Sequence, residues 1–195
     1  MNGKTLLAEA IEMKDEIVEN RRAIHRAPEV GENLPQTVQF VEEKLRLLGY
    51  EPRELGGGVV AELTGEDVGR CILLRADMDA LKVREKTDLP FRSENGSMHA
   101  CGHDMHAAML LGAAKLLMDN KDKVKGRVKF MFQPGEEVLS GARSMIEAGI
   151  LEDPHVDAAM GAHMIPMIPA GLGGYGTGVV SASSDHLVIR VEGRG

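Results

Sequence analysis

The stretch "MHACGHDMHAA", residues 98–108, holds three His, one Cys and one Asp, in a chain with only seven His and two Cys. Imidazole and thiolate are ligands of Zn²⁺ and related ions. Five further titratable residues follow apolar runs: Asp77 and Asp79 after "CILLRA", Glu136 and Glu137 after "VKFMFQPG", and His163 after "VDAAMGA". Functional groups of α/β sheets gather outside the carboxyl ends of strands. One thiol, two imidazoles and several carboxylates meeting there would form a metal site.

Each group alone has a plainer reading. Cys101 and His103 could be a buried thiol and a capping imidazole, Asp77 and Asp79 turn residues, and Glu136 and Glu137 a solvated helix start. His163 alone would be a packed or solvated ring. Their joint placement favours metal. Adjacent carboxylates in a loop can point apart, so one can bind metal while its neighbour stays free as a base. A second chemistry, Cys101 as nucleophile with His103 as its base, has awkward geometry and leaves Glu136 and Glu137 unexplained.

The remaining His and Cys read as background. His25 lies near a helix C-terminus, where positive charge is favoured. His99 and His106 flank the Cys101–His103 pair, and His106 reads as a packed ring or a support behind the ligands rather than a ligand. His155 falls in an exposed loop, His186 on a final strand at an interface, and Cys71 in the core.

Positioning elements can be read around these groups. Residues 4–26 have helical periodicity, with Leu6, Leu7, Ala10, Ile11, Ile17, Val18 and Ile24 on the apolar side. A second helix spans 36–48, with Gly49 as its stop. "GGGVVAEL" begins a strand, and the continuous run Cys71–Leu74 marks one buried on both faces. A helix dense in small residues follows at 106–120. Then come the strand "GRVKFMFQ", the helix "SGARSMIEAG", and the strand "VDAAMGAHM", ending near His163. This alternation predicts a layered α/β sheet. After a glycine-rich stretch, Leu187, Ile189 and Val191 alternate with His186, Val188 and Arg190, the period of a strand that has nothing left to pair with.

Composition narrows the function classes. A net charge of −7 and the lack of a basic stripe argue against nucleic acid. No apolar run reaches the ~18 residues a membrane helix needs. Two Cys in a chain with no export signal argue for a reducing, cytoplasmic setting. Twelve Met, with aromatics at 3%, fill part of the core.

"RRAIHRAPEVGENLPQT", "LLRADMDALKVREKTDLPFRSENGSMHACGHDMHAAMLLGAA", "VKFMFQPGEEVLSGARSMIEAG" and "GAHM" resemble the M20 metallopeptidases. They are most similar to the amidohydrolase subgroup, with N-acyl-amino-acid amidohydrolases, hippurate hydrolases, auxin-conjugate hydrolases and N-acetyl-diaminopimelate deacetylases. The resemblance implies a three-layer, zinc-peptidase-like α/β catalytic domain with a mixed, largely parallel sheet, here 1–180 and incomplete at its C-terminus. Residues 181–195 would be the first strand of an inserted dimerisation domain, truncated, and the complete protein a homodimer. The implied metal ligands are Cys101, His103, Glu137 and His163. A further family His would come from the C-terminal part. Glu136 would be the general acid/base, and Asp77 would orient a ligand. The implied reaction converts an N-acyl amino acid to a carboxylic acid and a free amino acid, with two divalent ions of the Zn, Mn, Co or Ni group. The other reading is a catalytically inactive metal-binding fragment lacking that C-terminal half.

Overall fold

The computed structural model describes residues 3–67, 69–179, 182–183 and 187–194. The chain divides into two compact units, Met1–Met164 and Ile165–Gly195. All named helices and strands lie in the first. In order they are α1 (Gly3–Glu12), α2 (Lys14–Arg26), α3 (Pro35–Leu47), β1 (Arg53–Leu55), β2 (Gly58–Thr64), β3 (Cys71–Asp77), α4 (His103–Asp119), β4 (Arg127–Gln133), α5 (Gly141–Glu147) and β5 (Ala158–Gly161).

The strands form one mixed sheet in the order β1-β2-β4-β3-β5. β1/β2 and β2/β4 are antiparallel, while β3 is parallel to both β4 and β5. Strand residues alternate between faces, and the two faces are filled differently. Val59, Ala61, Leu63, Phe130, Phe132 and Ala76 turn toward a core shared with Ile24, Val41, Leu45, Leu110 and Leu111 from α2, α3 and α4. Val60, Leu73 and Met131 turn the other way, toward Met145 of α5 and Ile150. Helices therefore cover the sheet from both sides, giving three layers.

Lys129 follows the same alternation onto the α5 face and is fully buried. Its ammonium donates to the carbonyls of Ile150, Glu152 and Pro154 at 2.9, 2.8 and 3.0 Å. A buried cation is tolerated only when its donors are spent in this way. The contact ties β4 to the segment leading from α5 into β5.

The stop expected at Gly49 is present: Gly49 N–H bonds Arg46 O and Tyr50 N–H bonds Leu45 O, the paired closure of a helix end. Other expectations need correction. The helix expected over 4–26 is two helices meeting at Met13. The hydrogen-bond ladder still crosses the junction from Met13 N–H to Glu9 O and from Ile17 N–H to Met13 O. α1 buries nothing, and Leu7 and Ile11 are more than half exposed, because it lies against α2 and α4 outside the sheet. Ile72 is over a third exposed, so β3 is not covered along its whole length. β5 ends two residues before His163 and is exposed throughout, at the edge of the described sheet. Residues 187–194 form no strand, and both alternating sets there are exposed. An unpaired strand leaves its backbone groups without partners. His186 lies outside the described residues.

Candidate metal centre

Parallel pairing puts the carboxyl ends of β3, β4 and β5 side by side. Asp77 is in register with Gln133, and Arg75 with Gly161. Asp77 and Asp79 follow β3, Glu136 and Glu137 follow β4, and His163 follows β5. The first turn of α4 arrives at the same edge with His103. Gly102 precedes it at φ +90°, a left-handed conformation that favours glycine and swings the chain from the Cys101 turn into the helix.

His103 is fully buried, and one of its nitrogens is committed. Nδ1 lies 2.9 Å from the backbone carbonyl of Asp79 and 3.4 Å from its Oδ1. That contact places the proton on Nδ1 and leaves Nε2 with its lone pair. Nε2 is buried and has no hydrogen-bond partner, and neither has Glu137 Oε1, which lies 3.8 Å away. Glu136 Oε2 is 3.7 Å from the same Nε2. On the other side Cys101 Sγ meets His163 Nε2 at 3.4 Å. The donor atoms of Cys101, His103 and His163 fall within 4.8 Å of one another, and so do those of His103, Glu136 and Glu137.

The carboxylate of Asp79 performs a separate task. Its two oxygens accept the backbone N–H groups of Glu136 and Glu137, at 3.0 and 3.1 Å. It thereby fixes the loop that presents both glutamates. Asp77, read from sequence as the residue orienting a ligand, places Oδ1 2.6 Å from His106 Nδ1 and Oδ2 3.7 Å from His103 Nε2. Arg75 pairs with that same Oδ2 at 2.7 Å. The atoms meeting His103 Nδ1 belong to Asp79.

The electrostatics favour a cation. Burial pushes the Cys101 thiol up to about 11, and Glu137, Glu136 and Asp77 push the same way. A nucleophilic thiol needs the opposite environment, which argues against the Cys101–His103 nucleophile. A thiol among carboxylates becomes a good ligand once a cation is bound there, because metal coordination deprotonates it. Burial alone would raise the Asp77 carboxyl, but the His106 hydrogen bond, Arg75 and His103 outweigh it and hold it below its usual value. The orphaned nitrogen of His103, the orphaned oxygen of Glu137 and the mixed thiolate, imidazole and carboxylate donor set fit divalent metal ions.

Sequence reasoning missed a second network beneath the centre. His25 is buried, with Nδ1 2.8 Å from Asp104 Oδ2 and Nε2 3.2 Å from Glu85. Arg21 Nε reaches the same Asp104 oxygen at 2.6 Å. Asp104 is the residue after His103, so this network anchors the first turn of α4 to α2. The Asp104 hydrogen bond raises the His25 pKa, Glu85 adds to it, and burial opposes both. His99 is also buried, with both ring nitrogens unpartnered, and burial lowers its pKa to about 4. His155 is exposed and Cys71 buried, as the sequence suggested.

A three-layer α/β unit with a Cys, His and Glu cluster at its parallel strand ends defines a metallohydrolase-like class. The chain belongs to Peptidase family M20/M25/M40, whose sequence profile matches residues 73–192. It is similar to an N-acetyl-L-cysteine deacetylase of Bacillus subtilis (strain 168), with 42% identity over 186 residues, covering 94% of this chain and 44% of the relative. It is also similar to thermostable carboxypeptidase 1 of Saccharolobus solfataricus, with 45% identity over 190 residues, covering 94% of this chain and 48% of the relative. Among solved structures it resembles a dinuclear metal-binding M20 peptidase from Bacillus subtilis, with a TM-score of 0.76 and 40% identity, covering 80% of this chain and 44% of that one. The chain thus spans about half the length of the curated relatives it matches. No helix among the described residues is long and apolar enough to cross a membrane.

Proposed function

We propose that the protein is a metal-dependent amidohydrolase that converts N-acyl amino acids to a carboxylic acid and a free amino acid. The observation that carries this reading is the buried, unpartnered pair of His103 Nε2 and Glu137 Oε1, with Glu136 beside it. Cys101 Sγ, His103 Nε2, Glu137 and His163 Nε2 would hold a pair of divalent ions. When bound, such ions supply Lewis acidity that makes water a nucleophile near neutral pH. Glu136, 36% exposed, is the group left to move protons. Its carboxylate takes a proton from water as the amide carbonyl is attacked, then returns it to the leaving amine nitrogen. Asp79 orients both His103 and the backbone bearing Glu136.

The similarity to an N-acetyl-L-cysteine deacetylase supports the acyl-amino-acid class. The similarity to a carboxypeptidase supports a second reading, in which the acyl group is a peptide. Both share an amide on the nitrogen of an amino acid. Residues 1–180 are read as part of the catalytic domain and 181–195 as the start of a dimerisation domain, in a cytoplasmic homodimer.

The test is Glu136→Gln in the full-length protein, assayed on N-acetyl amino acids and on peptides. The variant is expected to keep wild-type metal content and lose hydrolysis. Normal turnover would refute Glu136 as the base.

A further inference from the structure

His106 is 2% exposed, and both of its ring nitrogens are engaged. The backbone N–H of Met164 donates to Nε2 at 2.9 Å. Since an amide N–H can only donate, Nε2 must be the acceptor. The ring proton then sits on Nδ1 and donates to Asp77 Oδ1 at 2.6 Å. Neither nitrogen has a lone pair left for a metal, although His106 stands with Asp77 and His103 in a cluster compact enough to hold one.

The amide that His106 holds is the one following His163. This segment leaves β5, which is exposed along its whole length. Among the described residues, two hydrogen bonds that use a side chain tie 163–164 to the rest of the unit: Met164 N–H to His106, and His163 Nε2 to Cys101 Sγ. The second joins two residues read above as ligands. The His106 ring also packs edge-on against that of His163, with centroids 4.6 Å apart.

We infer that His106 is a positioning residue rather than a ligand. It clips the His163-bearing segment to Asp77, at the end of β3, and so presets the His163 ring for metal. The inference rests on the metal reading above. A residue that orients a ligand in this way typically contributes about 10–100-fold to metal affinity.

Three variants of the full-length protein separate the arms of the clip. His106→Ala removes both. His106→Asn keeps a donor where Nδ1 stands but does not reach Met164. His106→Gln can offer an oxygen to the Met164 N–H. The first readout is amide hydrogen exchange over 162–164 in metal-free protein, which is expected to accelerate in the Ala and Asn variants and recover in Gln. The second is Co²⁺ titration followed through the thiolate-to-cobalt and d–d bands. Affinity is expected to fall about 10–100-fold in Ala and Asn and to recover partly in Gln, with the saturated spectrum unchanged throughout. A saturated Ala spectrum that has lost a nitrogen ligand would make His106 a ligand and overturn the inference. So would rescue by Asn rather than Gln, which would assign its role to Asp77 alone. Wild-type protein that takes up no cobalt would overturn the metal reading and this inference with it, whatever the exchange result.

Discussion

His103 Nδ1 faces the carbonyl oxygen of Asp79 at 2.9 Å, and this contact decides which nitrogen of His103 remains for chemistry. The same Asp79 turns its carboxylate to the amides of Glu136 and Glu137. One buried aspartate thus sets the orientation of a candidate ligand and the path of the loop carrying the candidate base.

Asp79→Ala would leave those two amides without acceptors. Each unpaired buried donor costs about 1–3 kcal/mol, so denaturant unfolding should show a loss of this order. Asp79→Asn keeps one acceptor oxygen and should lose less. Equal stability of the Ala variant and the wild type would contradict the role.

Lys129 should behave as an internal support. Lys129→Met preserves much of the apolar stem but removes the donor to three carbonyls. A loss of about 2–3 kcal/mol is expected, together with faster amide exchange over 149–156. Faster exchange elsewhere, with that segment unchanged, would argue against the tie.

The His25 network predicts a pH dependence with a definite sign. The folded pKa of His25 is raised, so its contribution is complete below the unfolded value of about 6.5 and is lost as pH rises through the folded value. Asp104 and Glu85 have lowered pKa values, so their contributions are present above about 4 and are lost as pH falls. His99, lowered to about 4, disfavours the fold as pH drops from about 6.5 toward 4. Urea unfolding of wild type and His25→Gln should therefore differ most near pH 6 and converge as pH rises. A difference that grows with pH would contradict the assignment.

How much was legible in the sequence follows from the range of each interaction. The apolar runs of β2, β3 and β4, the periodicity of α3 and the small-residue density of α4 are local signals, and they located these elements. The rule that functional groups collect at strand ends then brought Cys101, His103, Glu136, Glu137 and His163 together. The pairing of His25 with Asp104 and Glu85 joins residues 79 and 60 positions apart, and no spacing announces it. Within the Asp77–Asp79 pair, the family resemblance pointed to Asp77 as the residue orienting a ligand, while the atoms that meet His103 Nδ1 belong to Asp79. The choice depends on how the chain turns after β3. Lys129 sits in a run that reads as a strand, yet its partners are carbonyls of a distant loop. α1 has a helical apolar side but no sheet surface to cover, so periodicity there did not translate into burial.

The central claim is a preformed ligand set at the strand ends. Its most direct test is metal content per chain by elemental analysis of the full-length protein, beside folded Cys101→Ser and His163→Ala variants. The account predicts metal on the wild type and a clear loss from both variants. A folded wild type without metal after loading, or variants that keep the full complement, would contradict it.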